Sequence, residues 1–190
     1  MNKTLYIMVG PPAAGKSYFA KNHLVKDDTW AYVSRDEVRF SIITEEDKYF
    51  SKEKEVFKSF VKIINTKLKD PYINYVIADA THLNFASRAK LMKSITTTKK
   101  VDIIPVVVTA DIQTILERNS KREGLTRLPE QALKGMYVRF VDPADDNFNY
   151  TAIMYVNTGK KEKKTVDKPK ILYTKAEKNI KEVPIKSKNI

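Results

Sequence analysis

At 190 residues, 42% of them hydrophobic and 10% aromatic, the chain has the material for one domain with its own core, which excludes disorder of the whole. Cysteine is absent and only His23 and His82 occur, so disulfides, thiol nucleophiles, cysteine-based zinc sites and histidine metal clusters are excluded together. Lys and Arg outnumber Asp and Glu by 35 to 23, a net charge of +12 that suits a polyanionic partner.

TLYIMV at 4–9 is a short apolar run followed at once by a glycine-bounded loop, which predicts a first strand. From Lys16, KSYFAKNHLV predicts a helix with Phe19, Ala20 and Leu24 on one side. WAYVS (30–34) reads as a second strand, and RDEVRFSII as a helix directly after it. Between Asp47 and Lys69, the residues Val56, Phe57, Phe60, Val61, Ile64 and Leu68 recur at helical spacing until Asp70-Pro71 ends the pattern. YVIAD (75–79) is a buried-type strand and NFASRAKLMKSI a helix. VDIIPVVVT (101–109) is the longest apolar strand candidate, although Pro105 argues against a fully paired central position. Helices at 111–121 and 129–141 follow, then a strand at AIMYV (152–156). This alternation predicts an α/β fold of three layers, a mostly parallel five-stranded sheet with helices on both faces. Ligands of such sheets lie at the carboxyl ends of the strands.

Residues 157–190 hold eleven Lys against Glu162, Asp167, Glu177 and Glu182. The compact domain is therefore placed at 1–157, and 158–190 reads as a lysine-rich C-terminal tail. That tail is either solvated and loosely docked or held on a phosphate backbone, and its KILY and VPI segments offer a short edge strand. No apolar run approaches the roughly 18 residues of a membrane span, and the polar start is unlike a signal peptide. A soluble, cytoplasmic protein without a membrane partner is expected.

The strongest signal is GPPAAGKS, Gly10 to Ser17, which satisfies GxxxxGK[ST] between a strand and a helix. Successive N–H groups of such a loop and the helix N-terminus cradle a polyphosphate. The binding set is Gly10, Pro11, Ala13, Ala14, Gly15, Lys16, Ser17 and Tyr18. Lys16 supplies charge to the β and γ phosphates of ATP, and the Ser17 hydroxyl offers a ligand to Mg²⁺. After the second strand, Asp36 and Arg39 are three apart and share a helix face. A carboxylate there orients an attacking hydroxyl and takes its proton, while a guanidinium holds an anionic group of the same acceptor. The competing reading makes Asp36 a helix cap and Arg39 a surface ion-pair partner. Asp27 and Asp28 read as turn residues. Asp79, closing the third strand, holds Mg²⁺ through water or positions the loop; Thr81 and Asn84 bond phosphate or cap the next helix. His82 stays outside the site.

ERNSKREGLTRLP places Arg118 and Arg122 four apart on the polar flank of a helix, with Arg127 beyond the breaker Gly124. A short basic segment between two helices is either a solvated turn or a lid that closes over a nucleotide and stabilises charge on a moving phosphoryl group.

GPPAAGKS, SRDEVRFSI, ADATHLN with Arg88, ERNSKR and LPEQALKGMY occur in this order between residues 4 and about 141. Together they resemble the 5′-hydroxyl kinase domain of bacteriophage polynucleotide kinases. The resemblance implies a P-loop kinase fold with an arginine lid, ATP and Mg²⁺, and the 5′ ends of DNA or RNA as substrate. It also implies a host-cytoplasmic repair setting and room for a homo-oligomer. Asp36 would be the general base, Arg39 the grip on the phosphate 3′ of the acceptor nucleotide, and Arg122 the lid arginine, supported by Arg118. Arg35, Thr81 and Arg88 would complete the acceptor site. Two departures stand out. Ala14 replaces the Gly or Ser of many members, and no DxDGT phosphatase motif follows, so a kinase without its phosphatase half is expected. Relatives of this module also include kinases of small metabolites or tRNA-linked substrates, and a nucleotide-dependent binding module is a third reading.

Overall fold

The computed structural model describes residues 2–97 and 100–159, together with the backbone of Lys170–Tyr173. β1 (Lys3–Val9), β2 (Trp30–Ser34), β3 (Tyr75–Asp79), β4 (Val101–Thr109) and β5 (Ala152–Asn157) form one parallel sheet in the order β2-β3-β1-β4-β5. Each was expected within a residue of its observed bounds. β6 (Lys170–Tyr173) adds an antiparallel edge beside β5, as KILY allowed; VPI falls outside the described residues.

Alternation along the strands sorts the core into two layers. Leu5, Ile7 and Val9 of β1 join Ala31, Val33, Val76, Ala78, Val107 and Ile153 on one face. Met8 joins Ile77, Val106, Val108 and Val156 on the other. Against the first face lies α3 (Glu53–Lys69), whose Val56, Phe60, Val61, Ile64 and Leu68 form the buried stripe, with Leu91 of α4 (Phe85–Ser94) beside it. Against the second lie α1 (Lys16–Phe19), continued through a wider π-type turn at Ala20–Leu24, α5 (Ile112–Ser120) and α6 (Glu130–Val138). Fully burying a side chain such as Phe60 contributes about 1.5–3 kcal/mol, so α3 is held by packing rather than by propensity.

One expectation is refined and one is corrected. Pro105 occupies a strand with neighbours on both sides, pairing with Ile7 of β1. It is tolerated because β5 pairs with β4 only from Val106 onward. Ile103 turns both its N–H and its carbonyl toward Thr151 on the β5 side, so by the two-residue repeat Pro105 lacks its N–H on that side, where no ladder has begun. Second, the helix expected from Asp47 begins at Glu53. Asp47 accepts from the Thr44 N–H and pairs with Lys52, which folds 44–52 into turns before α2 (Arg35–Phe40) hands over to α3. Those turns carry Tyr49 and Phe50 to the candidate site.

Candidate active site

The loop after β1 is built for close approach. Gly10 has φ 140°, and a Cβ there would overlap the Val108 carbonyl oxygen. Gly15 takes φ 91° at the start of α1, and no side chain caps that helix, so its first-turn N–H groups are open to an anion. Ala13, with φ 62°, also sits in the left-handed region, at a cost of about 1–2 kcal/mol. Lys16 reaches across the loop and donates to the Pro11 carbonyl at 2.8 Å. Burial pulls its ammonium down to about 8; Asp79 and Asp36 oppose that shift and Arg122 adds to it. Lys16, Asp79, Arg122 and Asp36, drawn from four separate segments of the chain, thus share one electrostatic neighbourhood.

Asp79, buried at the tip of β3, accepts on Oδ2 from the hydroxyls of Ser17 and Tyr32, each at 2.5 Å. Burial and the Asp79 charge raise the Tyr32 phenol, which keeps it a donor. No three His, Cys, Asp or Glu side chains gather as a metal set among the described residues. The Ser17–Asp79 pair instead fits the way Mg²⁺ is held, by one or two protein oxygens with the remainder from phosphates and water.

Ser34 caps α2, accepting from the Glu37 N–H at 3.2 Å, which releases Asp36 from the capping role. The Asp36 side chain is 60% exposed, and its Oδ1 accepts from the Arg39 guanidinium and, at 2.6 Å, from the Tyr49 hydroxyl. Among the described residues no donor reaches Oδ2. Arg39 is not the surface cation of the competing reading: it is 3% exposed and lies 4.3 Å from the centre of the Tyr49 ring. Glu53, at the start of α3, accepts from Arg39 at 2.8 Å through Oε2 and from Arg35 through Oε1. The Nε atoms of both arginines are buried without a partner among the described residues. The sequence reading missed Tyr49 and Glu53. No local pattern marks them, since they meet Arg39 from 10 and 14 residues away.

On the other side of the loop, Arg118 donates to the Thr158 hydroxyl at 2.8 Å and to its carbonyl at 2.6 Å. The Thr158 hydroxyl in turn donates to the Ala14 carbonyl at 2.7 Å. The segment after β5 therefore ties α5 to the phosphate loop. Arg122 donates to the Thr126 carbonyl at 3.4 Å, and Arg127 is exposed. Tyr18 is exposed beside the loop, edge-on to His23.

After β3, the Thr81 carbonyl accepts from the Gly10 N–H at 2.9 Å, and Asn84 caps α4 in a reciprocal box with Ser87. His82 is buried, with Nδ1 donating to the Met8 carbonyl at 2.9 Å, and burial holds its ring near 4, so it stays neutral. Arg88, expected among the acceptor residues, is 0% exposed. Its guanidinium makes a two-pronged pair with Asp146 at 2.6 Å and donates to the carbonyls of His82 and Val141. With all three of its nitrogens bonded inside the protein and no exposed surface, Arg88 presents nothing to a substrate and acts as a strut under the site.

Residues 5–143 match the family model described as AAA domain. Among solved structures, a protein of the Pnkp1/Rnl/Hen1 RNA repair complex superposes with a TM-score of 0.58 at 25% identity, over 73% of this chain. This chain spans only 44% of that protein. A fungal RNA kinase superposes with a TM-score of 0.54 at 14% identity, covering 87% of this chain and 79% of its own. Kti12 of Chaetomium thermophilum, in complex with ADP-AlF3, gives 0.55 at 13% identity, covering 82% and 88%. No curated protein matches the sequence.

Proposed function

The chain belongs to the AAA domain family and has a P-loop kinase-like fold, and from that premise we propose that it is an ATP-dependent 5′-polynucleotide kinase acting on DNA or RNA ends. The observation that carries the reading is Asp36. It stands in the first turn of the helix after β2, its Oδ1 held by Arg39 and Tyr49, within electrostatic reach of the phosphate-loop lysine. The likeness to a protein of an RNA repair complex at 25% identity supports a nucleic-acid acceptor, and the net charge of +12 agrees with it.

In the proposed reaction the phosphate loop holds the triphosphate, and Lys16 leaves Pro11 for the β and γ phosphates. Mg²⁺, which Ser17 and Asp79 would hold, supplies charge neutralisation for the phosphoryl oxygens when bound. Asp36 aims a 5′-hydroxyl at the γ phosphorus and accepts its proton as the new P–O bond forms and the bond to the β–γ bridging oxygen breaks. The transition state is loose, so the hydroxyl need not be deprotonated in advance. Arg122 balances charge on the transferring group, and Arg39 grips the phosphate 3′ of the acceptor. In its present position Arg39 is covered by Tyr49 and spent on two carboxylates, so that grip requires the Tyr49–Phe50 turn to shift.

The direct test supplies γ-labelled ATP to a 5′-hydroxyl oligonucleotide, a nucleoside 3′-monophosphate and a panel of small metabolites. Label on the first two is the expected result; label only on a metabolite reassigns the domain to small-molecule kinases. Arg39→Ala should raise the KM for the oligonucleotide by about tenfold or more, and that for ATP by much less. Equal effects on both would remove the grip assignment.

Lys16 makes the donor side pH-dependent. Its free-state value of about 8 rises when a triphosphate arrives, so above pH 8 binding takes up a proton. ATP affinity should fall as pH rises from 7 to 9, by calorimetry or fluorescence titration, and Lys16→Met should flatten that slope.

A further inference from the structure

The acceptor carboxylate is bordered by aromatic surface that the reaction itself does not use. Phe50 is 54% and Phe40 43% exposed. They flank Tyr49, whose ring meets Phe50 edge-on at 4.7 Å and Phe40 at 6.1 Å. Arg39 lies beneath, its guanidinium carbon 5.5 Å from the Phe50 ring centre. Adjacent exposed rings at the edge of a charged site make an apolar surface that a ligand can cover. Asp36 fixes where the hydroxyl of an acceptor must stand, and the Tyr49 hydroxyl links that point to the aromatic group at 2.6 Å. Once the Tyr49–Phe50 turn shifts to free Arg39 from its cover, the acceptor site offers a carboxylate for a hydroxyl, a guanidinium for an anion and a flat hydrophobic ring.

We infer that Phe50, with Phe40 at its side, is the stacking platform for the base of the acceptor's terminal nucleotide. One nucleotide carries all three complementary features: a 5′-hydroxyl, a 3′-phosphate and a planar base. A sugar acid or an aliphatic metabolite has no planar π face to stack flat on an exposed phenyl ring. Stacking tolerates any base because every base has a π face, so the platform selects nucleic acid over other alcohols without reading sequence. While the turn holds its present position, Arg39 below the ring adds a cation–π contact that orders the platform. The inference rests on the polynucleotide kinase reading and names the part of the acceptor that this surface recognises.

The experiment measures steady-state phosphorylation of a 5′-hydroxyl oligonucleotide by the full chain and by Phe50→Ala, Phe50→Leu and Phe50→Tyr, with ATP affinity and thermal melting read alongside as checks on the fold. The same proteins are then given an oligonucleotide whose 5′-terminal residue is abasic. Phe50→Ala and Phe50→Leu should raise the acceptor KM roughly tenfold to a hundredfold, with Phe50→Tyr close to the unaltered chain. On the abasic acceptor all four proteins should be equally poor. Equal KM values across the variants on the normal acceptor would overturn the platform while leaving the kinase reading intact. No transfer to any oligonucleotide by the unaltered chain would overturn the kinase reading itself. Sedimentation distinguishes a competing occupant: concentration-dependent self-association that Phe50→Ala abolishes would assign the rings to a second copy of the chain and overturn the inference.

Discussion

Replacing Asp36 with Asn should lower kcat by about 10²–10⁴-fold and leave the affinity for ATP unchanged. The substitution is close to isosteric. Asn keeps an oxygen where Arg39 and Tyr49 now donate, so the α2 end and the Arg39–Glu53 pair stay in place. On the proposed mechanism, what would be lost is the capacity of the outer carboxylate oxygen to take the proton of an incoming hydroxyl, an interaction that exists only on the way to the transition state. Single-turnover transfer from labelled ATP measures the rate, and titration with a non-hydrolysable analogue measures binding. A parallel loss of nucleotide affinity would instead make Asp36 a structural partner of Arg39. Tyr49→Phe provides the graded companion: it removes one of the two donors on Oδ1 and should fall between the native chain and Asp36→Asn in kcat.

Arg88→Met should destabilise the fold by about 3–5 kcal/mol, a large share of the roughly 5–15 kcal/mol that holds a domain together. Both members of the Arg88–Asp146 pair are fully buried, so removing the guanidinium strands a carboxylate in the interior together with the carbonyls of His82 and Val141. Tyr150 donates to Asp146 at 2.7 Å and cannot replace the lost charge. A double variant, Arg88→Met with Asp146→Leu, should recover part of the loss in urea denaturation, because an absent ion pair costs less than half of one. It should not recover all of it, since the two carbonyls remain without their donor. A substrate-binding Arg88 would behave differently, raising the acceptor KM with little change in the denaturation midpoint.

Residue by residue, the features that local chemistry governs were legible in the sequence. The GxxxxGKS spacing identifies its loop because the backbone demands glycine at Gly10 and Gly15 whatever surrounds them. The stripe from Val56 to Leu68 identifies α3, because a 3.6-residue period has only one face to bury. Asp36 and Arg39 could be paired on paper because both lie on α2. Arg88 was misjudged for the complementary reason. An arginine in a motif-like stretch reads as exposed and available, and only the fold reveals that Asp146, 58 residues later, draws it inside.

By itself, then, the sequence determined the order of strands and helices, the phosphate-binding loop and the acid that follows the second strand, all set by spacing along a short piece of chain. The tertiary structure alone decided that Tyr49 and Glu53 hold the acid and its arginine, that Thr158 bolts the phosphate loop to α5, and that Arg88 is a buried strut. Those contacts join segments far apart in the chain, and which of several equally charged side chains meets a given partner is fixed only when the sheet brings the strand tips together.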